Sequence, residues 1–183
     1  ENGEASANFN VADRWTNTAT NGNGINLGDP ITLTWSIPPD GTTIPGFNGE
    51  PTAGSNLVAW LGGIYGTNTS DTNYTDEPWF GIVSSVFDRW SEVSGITYVF
   101  EPNDDGASFS NSSSAAPGVL GVRGDVRVGG HTIDGPSGVL AYNFFPNNGE
   151  MVMDTADTFF NNTSTNSLRL RNTVSHEAGH GFG

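Results

Sequence analysis

Apolar and polar residues alternate with period two through Ile31-Thr32-Leu33-Thr34-Trp35-Ser36-Ile37, and Pro38-Pro39-Asp40-Gly41 follows as a turn. This is the pattern of a half-buried strand. The same reading predicts strands at 96–100, 125–128 and 138–145, and a short one at 151–153. Helical spacing occurs twice. Phe80, Val83, Val86, Phe87 and Trp90 recur every three or four residues, which predicts a core-facing helix. It is expected to open at Asp76-Glu77-Pro78, with Asp76 as N-cap, and to stop at Ser94-Gly95. Residues 167–180 form the second helix, with Leu168, Leu170, Val174 and Ala178 mostly on one face. Residues 1–29 read as an irregular N-terminal segment anchored by Trp15. Residues 42–75 read as a long loop or insertion, broken by Leu57-Val58-Ala59-Trp60-Leu61 as a short helix or strand. Strand, helix, three or four strands and helix, in that order, define an α+β class.

Composition narrows the picture. A chain of 183 residues suits one domain of ordinary size. Only 14% of the residues are charged, so polarity falls to Asn, Thr, Ser and 25 Gly, while 11 Phe, 5 Trp and 4 Tyr supply a core. Twenty acids face six bases, all of them arginine, for a net charge of -14. That balance excludes nucleic acid as a partner and disfavours an anionic membrane surface. Without cysteine there are no disulfides, thiolate metal sites or cysteine nucleophiles. No apolar run approaches the ~18 residues of a spanning helix, so no membrane insertion is expected. An uncharged polar surface with acidic excess suits a secreted, extracellular protein, expected to be monomeric.

The chemistry concentrates in Ser175-His176-Glu177-Ala178-Gly179-His180-Gly181-Phe182-Gly183. Histidines four apart on a helix share one face and can bind one ion, and zinc favours neutral imidazole nitrogen. Glu177 projects beside the position left open for water, where it can act as general base and then acid. Gly183 would permit the sharp break that lets a third ligand swing round to the same ion. That ligand is expected three residues beyond Gly183, so the 183-residue chain is expected to be an incomplete domain, inactive by itself.

This motif, together with Asp134-Gly135-Pro136-Ser137-Gly138-Val139-Leu140-Ala141-Tyr142-Asn143-Phe144-Phe145-Pro146, resembles the catalytic domain of the matrixins, the metzincin family that includes the matrix metalloproteinases. The resemblance spans roughly 76–183 plus the strand near Ile31. It implies a metzincin, zincin-like fold: a twisted, mixed five-stranded sheet with two long helices, the catalytic helix at the C-terminal end. It implies a zinc-dependent endopeptidase acting on protein or peptide substrates, with zinc on His176 and His180 and Glu177 as catalyst acting on a metal-bound water. It further implies that the strand containing Val139, Leu140 and Ala141 binds the extended substrate by strand addition. A structural calcium is implied at Asp134, Asp154 and Asp157 through carboxylates, and at Gly135, Ser137 and Val139 through backbone oxygens.

The departures from the family are equally specific. Where many matrixins hold a structural zinc, the aligned positions carry Arg127, Gly129, Tyr142 and Val152, so no structural zinc is expected. His131 stands nearby and is expected to be a loop or surface residue. Two other readings stay open. One is a non-catalytic, calcium-stabilised binding or adhesion module with a decayed protease motif. The other is a gluzincin-type peptidase with a distant Glu as third ligand, against which Gly183 and the Asp134 block stand.

Overall fold

The computed structural model describes residues 13–67, 73–112 and 116–182. In chain order they form β1 (Asn17–Thr18), β2 (Gly22–Asn23), β3 (Ile31–Ser36), β4 (Thr43–Ile44), β5 (Ala53–Gly54), α1 (Leu57–Tyr65), α2 (Phe80–Val93), β6 (Ile96–Phe100), β7 (Val126–His131), β8 (Ala141–Asn143), β9 (Met151–Asp154) and α3 (Ser164–Phe182). Two small hairpins, β1–β2 and β4–β5, flank one five-stranded sheet of order β6-β3-β7-β9-β8. Its first three pairings are parallel, and β8 joins β9 antiparallel. This is the expected mixed sheet with a C-terminal helix, to which α1 adds a third helix.

Parallel strands in the middle of a sheet must be covered on both faces, and the register shows how. Val128 beside Met151 and Gly130 beside Met153 point to one face. There they join Leu33, Trp35, Val83, Val86, Phe87, Leu170, Val174 and Ala178 in the main core. Trp35 stacks on Phe87 with ring centroids 4.5 Å apart and touches Phe80 and Phe100, so β3, α2 and β6 share one aromatic block. At the strand ends the Asp125 carboxylate accepts N–H bonds from Ala19, Gly118 and Thr34 and the Thr34 hydroxyl. One buried acid thereby ties the N-terminal segment and the loop before β7 to β3.

The opposite face carries Gly129 beside Val152 beside Tyr142, with His131 beside Asp154. Ile44, Phe109, Ile133, Tyr142 and Val152 make a second, smaller core over it. Gly129 is required here: a Cβ would lie 2.9 Å from the Phe109 ring and 3.0 Å from Ile44. Arg127 forks onto Asp104 at 2.6 and 2.9 Å and reaches Glu150 at 3.3 Å. Tyr142 donates its hydroxyl to Glu50. The four positions aligned with the family's structural zinc are thus filled by an ion-pair network and apolar packing.

Several expectations change. The 42–75 stretch holds the β4–β5 hairpin and α1, whose Leu57, Val58 and Leu61 are buried; residues 68–72 lie outside the described residues. Within 1–29, the β1–β2 hairpin follows a buried Trp15. Asp76 is not an N-cap. It closes a 3₁₀ turn (Tyr74–Asp76), and α2 starts after Trp79 without a side-chain cap, because burying Trp79 and Tyr74 together outranks the cap. The strand expected over 138–145 shortens to β8, since Ser137 has φ +73° and Asp134 captures the Val139 N–H. Leu168 is exposed, the buried stripe being Leu170, Val174 and Ala178. His131 is not on the surface. It ends β7 at 1% exposure, with Nε2 3.5 Å from the Glu50 carboxylate.

Burial pushes the Glu150 carboxyl up to about 7. The Ser110 N–H and Arg127 pull it down, but Arg127 gives its close contacts to Asp104, which adds repulsion. A raised carboxyl favours the native state while protonated. Its contribution is therefore complete below about 4.5, the ordinary carboxyl value, and is lost as pH rises through about 7. Glu150→Gln should gain stability relative to wild type as pH increases across that window, read from urea midpoints at several pH values. A difference independent of pH would refute this origin.

Candidate metal centre and cleft

Helix α3 begins unusually. Thr165, Asn166 and Ser167 have φ of 56°, 52° and 52°, a left-handed turn built without glycine. Such a backbone costs roughly 1–2 kcal/mol per residue. Its stays are visible: the Arg171 guanidinium donates to the Asn166 and Thr165 carbonyls, and Tyr65 and Ser167 share a 2.6 Å hydroxyl contact. From Leu168 the helix is right-handed and runs to Phe182.

Along it the periodicity sorts the motif. Thr173, Val174, Glu177, Ala178 and Gly181 face inward, while His176 and His180 face outward. The two imidazole Nε2 atoms stand 3.2 Å apart. Two nitrogens each 2.0–2.1 Å from one tetrahedral ion would be about 3.3–3.4 Å apart. Neutral imidazoles are zinc ligands by preference, so the pair fits two corners of a zinc site. Among the described residues no third His, Asp or Glu completes a group around them. Gly183 lies outside the described residues. Glu177, one residue past His176, is 7% exposed. Burial raises its carboxyl above the usual range, with His176 pulling the other way.

A cavity of about 440 Å³ opens beside this helix face, lined by Val139, Leu140, Ala141, Asn172, Thr173, His176 and Glu177. It brings the strand residues named by the resemblance to the helix residues of the motif. Only Ala141 lies in regular β8; the Leu140 carbonyl still pairs inward with the Asp154 N–H. Asn172 precedes His176 by one helical turn, so the motif's own spacing points to it. Exposed Phe145, whose ring stands 5.7 Å from that of His180, had no such signal.

The proposed calcium residues also come together, but differently. Asp154 accepts N–H bonds from Ile133, Asp134, Gly135 and Ala156. Asp157 accepts from Ser137 and Phe159, and Asp134 from Val139. These carboxylates close the 133–139 loop through backbone donors. They form no convergent three-acid group among the described residues.

A helix with paired histidines and an adjoining buried glutamate beside a sheet edge belongs to the zinc-peptidase class. The family model for matrixin matches residues 65–183, and the chain belongs to the matrixin family. Among curated proteins, none matches it. Membership makes it a metalloprotease of a zinc-enzyme family whose substrates are peptides or proteins.

The left-handed turn gives a sharp test. Thr165 is exposed, so neither Thr165→Gly nor Thr165→Ala loses buried contacts. At a left-handed position Gly should be the more stable of the two by about 1 kcal/mol, or about 2–4 °C in Tm. At a right-handed helical position the order reverses. Calorimetry on the two variants decides which holds.

Proposed function

We propose that the protein is a zinc-dependent endopeptidase in which His176 and His180 hold the metal and Glu177 is the catalytic acid–base group. The observation that carries this is the 3.2 Å imidazole pair, with a buried carboxylate one residue away, at the wall of an apolar cavity. Zinc at this position would polarise a peptide carbonyl and bring the pKa of a water to near 7. Glu177 takes a proton from the attacking water as its oxygen bonds to the carbonyl carbon. It then delivers that proton to the amide nitrogen as the C–N bond breaks. Its raised pKa suits a group that must both accept and return a proton.

β8 is the edge strand of the sheet, paired only with β9 among the described residues. Its free side supports binding of an extended peptide by strand addition, along Val139, Leu140 and Ala141. A calcium ion at the Asp134 loop would compete with the four backbone N–H groups that fill the Asp154 carboxylate, and it enters none of these steps. The acidic, uncharged-polar surface supports an extracellular setting.

In the full-length, zinc-loaded protein, Glu177→Ala should lower cleavage of a denatured protein substrate by a factor of about 10²–10⁴ and keep its zinc. His176→Ala should lose both, with zinc content read by atomic absorption. Undiminished cleavage by Glu177→Ala would sink the role given to that residue.

A further inference from the structure

Two indole N–H groups reach the metal helix from opposite parts of the chain. Trp15 Nε1 donates to the Gly181 carbonyl at 2.8 Å, a contact spanning 166 positions. Trp90 Nε1, from α2, donates to the Ser175 carbonyl at 3.1 Å. Ser175 immediately precedes His176 and Gly181 immediately follows His180, so the two bonds bracket the histidine pair. The acceptors differ in kind. Gly181 lies among the last four carbonyls of the helix, which have no partner within it. Ser175 lies inside the ladder and takes Trp90 on its second lone pair.

This turn is poorly equipped to stand alone. Gly179 and Gly181 both disfavour helix. Packing supplies what propensity lacks. The Trp90 ring lies against Gly179, where a Cβ would sit 3.6 Å from it, and meets Phe182 edge-on at 4.5 Å. Asn143 of β8 presses on Gly181, where a Cβ would come within 2.9 Å of its Nδ2. Trp15 is itself buried in the core, its ring so close to Gly149 that a Cβ there would lie 2.8 Å from it.

We propose that Trp15 and Trp90 are positioning residues of the metal site, which set the separation of His176 and His180 by holding the helix backbone on either side of them. Trp15 does so from outside the 65–183 segment that matches the matrixin family, which makes the N-terminal segment part of the site's support. The inference rests on zinc binding by the histidine pair. It places the effect of Trp15 on metal affinity rather than on the chemistry of Glu177.

The test compares Trp15→Phe and Trp90→Phe with Trp79→Phe in the full-length protein. Each replacement keeps an aromatic ring and removes an indole N–H. The Trp79 N–H has no hydrogen-bond partner among the described residues and serves as control. Zinc affinity, from competition with a chromophoric chelator, should weaken about 10-fold or more for Trp15→Phe and Trp90→Phe. It should hold for Trp79→Phe. In the metal-free protein the amides of 178–182 should exchange faster in the first two variants at unchanged protection of β7. Unchanged affinity and exchange in Trp15→Phe would overturn the positioning role. A wild type that binds no zinc would instead overturn the metal assignment, while the exchange data would still decide whether the clamp exists.

Discussion

The molecule depends on covering both faces of β7 and β9. These neighbours are buried along their whole length, and a parallel pair so placed cannot leave either side to water. The helices cover one side. The other requires something beyond helices, and the chain supplies it from three separate stretches: the β4–β5 hairpin, the loop around Phe109 and the Arg127 network. Arg127 pairs closely with Asp104 and reaches Glu150 only at 3.3 Å, so this face buries one tight ion pair beside an acid that burial pushes up to about 7. Ordering these stretches by packing leaves that face dependent on side-chain complementarity.

What could be read in advance followed from periodicity. Alternation at 31–37 located β3, and the three-to-four spacing at 80–90 located α2, because both expose one face and bury the other. Strands buried on two sides lose that alternation, yet β9 is visible as the short apolar run Met151-Val152-Met153 and the start of β7 as Val126-Arg127-Val128. The β4–β5 hairpin was not legible, since its only large buried residue is Ile44 and its turn looks like ordinary Gly- and Asn-rich loop. His131 was misplaced for a related reason. A histidine beside two glycines suggests a loop, and only the pairing of β7 with β9 shows that those glycines make room for packing.

The metal helix shows the same division. Its histidine spacing is a local property and was readable directly. Its left-handed opening and its two indole contacts are products of tertiary structure, joining Arg171 to its own first turn and Trp15 to the far end of the chain. Nothing in the neighbourhood of Trp15 distinguishes a core tryptophan from one that holds a distant carbonyl. The calcium residues make a complementary point. Asp134 lies in the loop before β8, while Asp154 ends β9 and Asp157 follows it; a carboxylate that caps backbone N–H groups and one that binds a cation leave the same trace in a motif.

The absence of lysine has a further meaning once the arginines are placed. Arg89, Arg123 and Arg127 contact carboxylates, while Arg14, Arg169 and Arg171 donate to main-chain carbonyls. Each cation is engaged by its own chain. What the exterior offers a neighbour is chiefly negative charge, so copies of the protein meet across a repulsive field. Salt shortens the range of that field to about 8 Å at physiological ionic strength. Colloidal behaviour in dilute buffer and in saline should therefore differ, although no contact within the fold has changed.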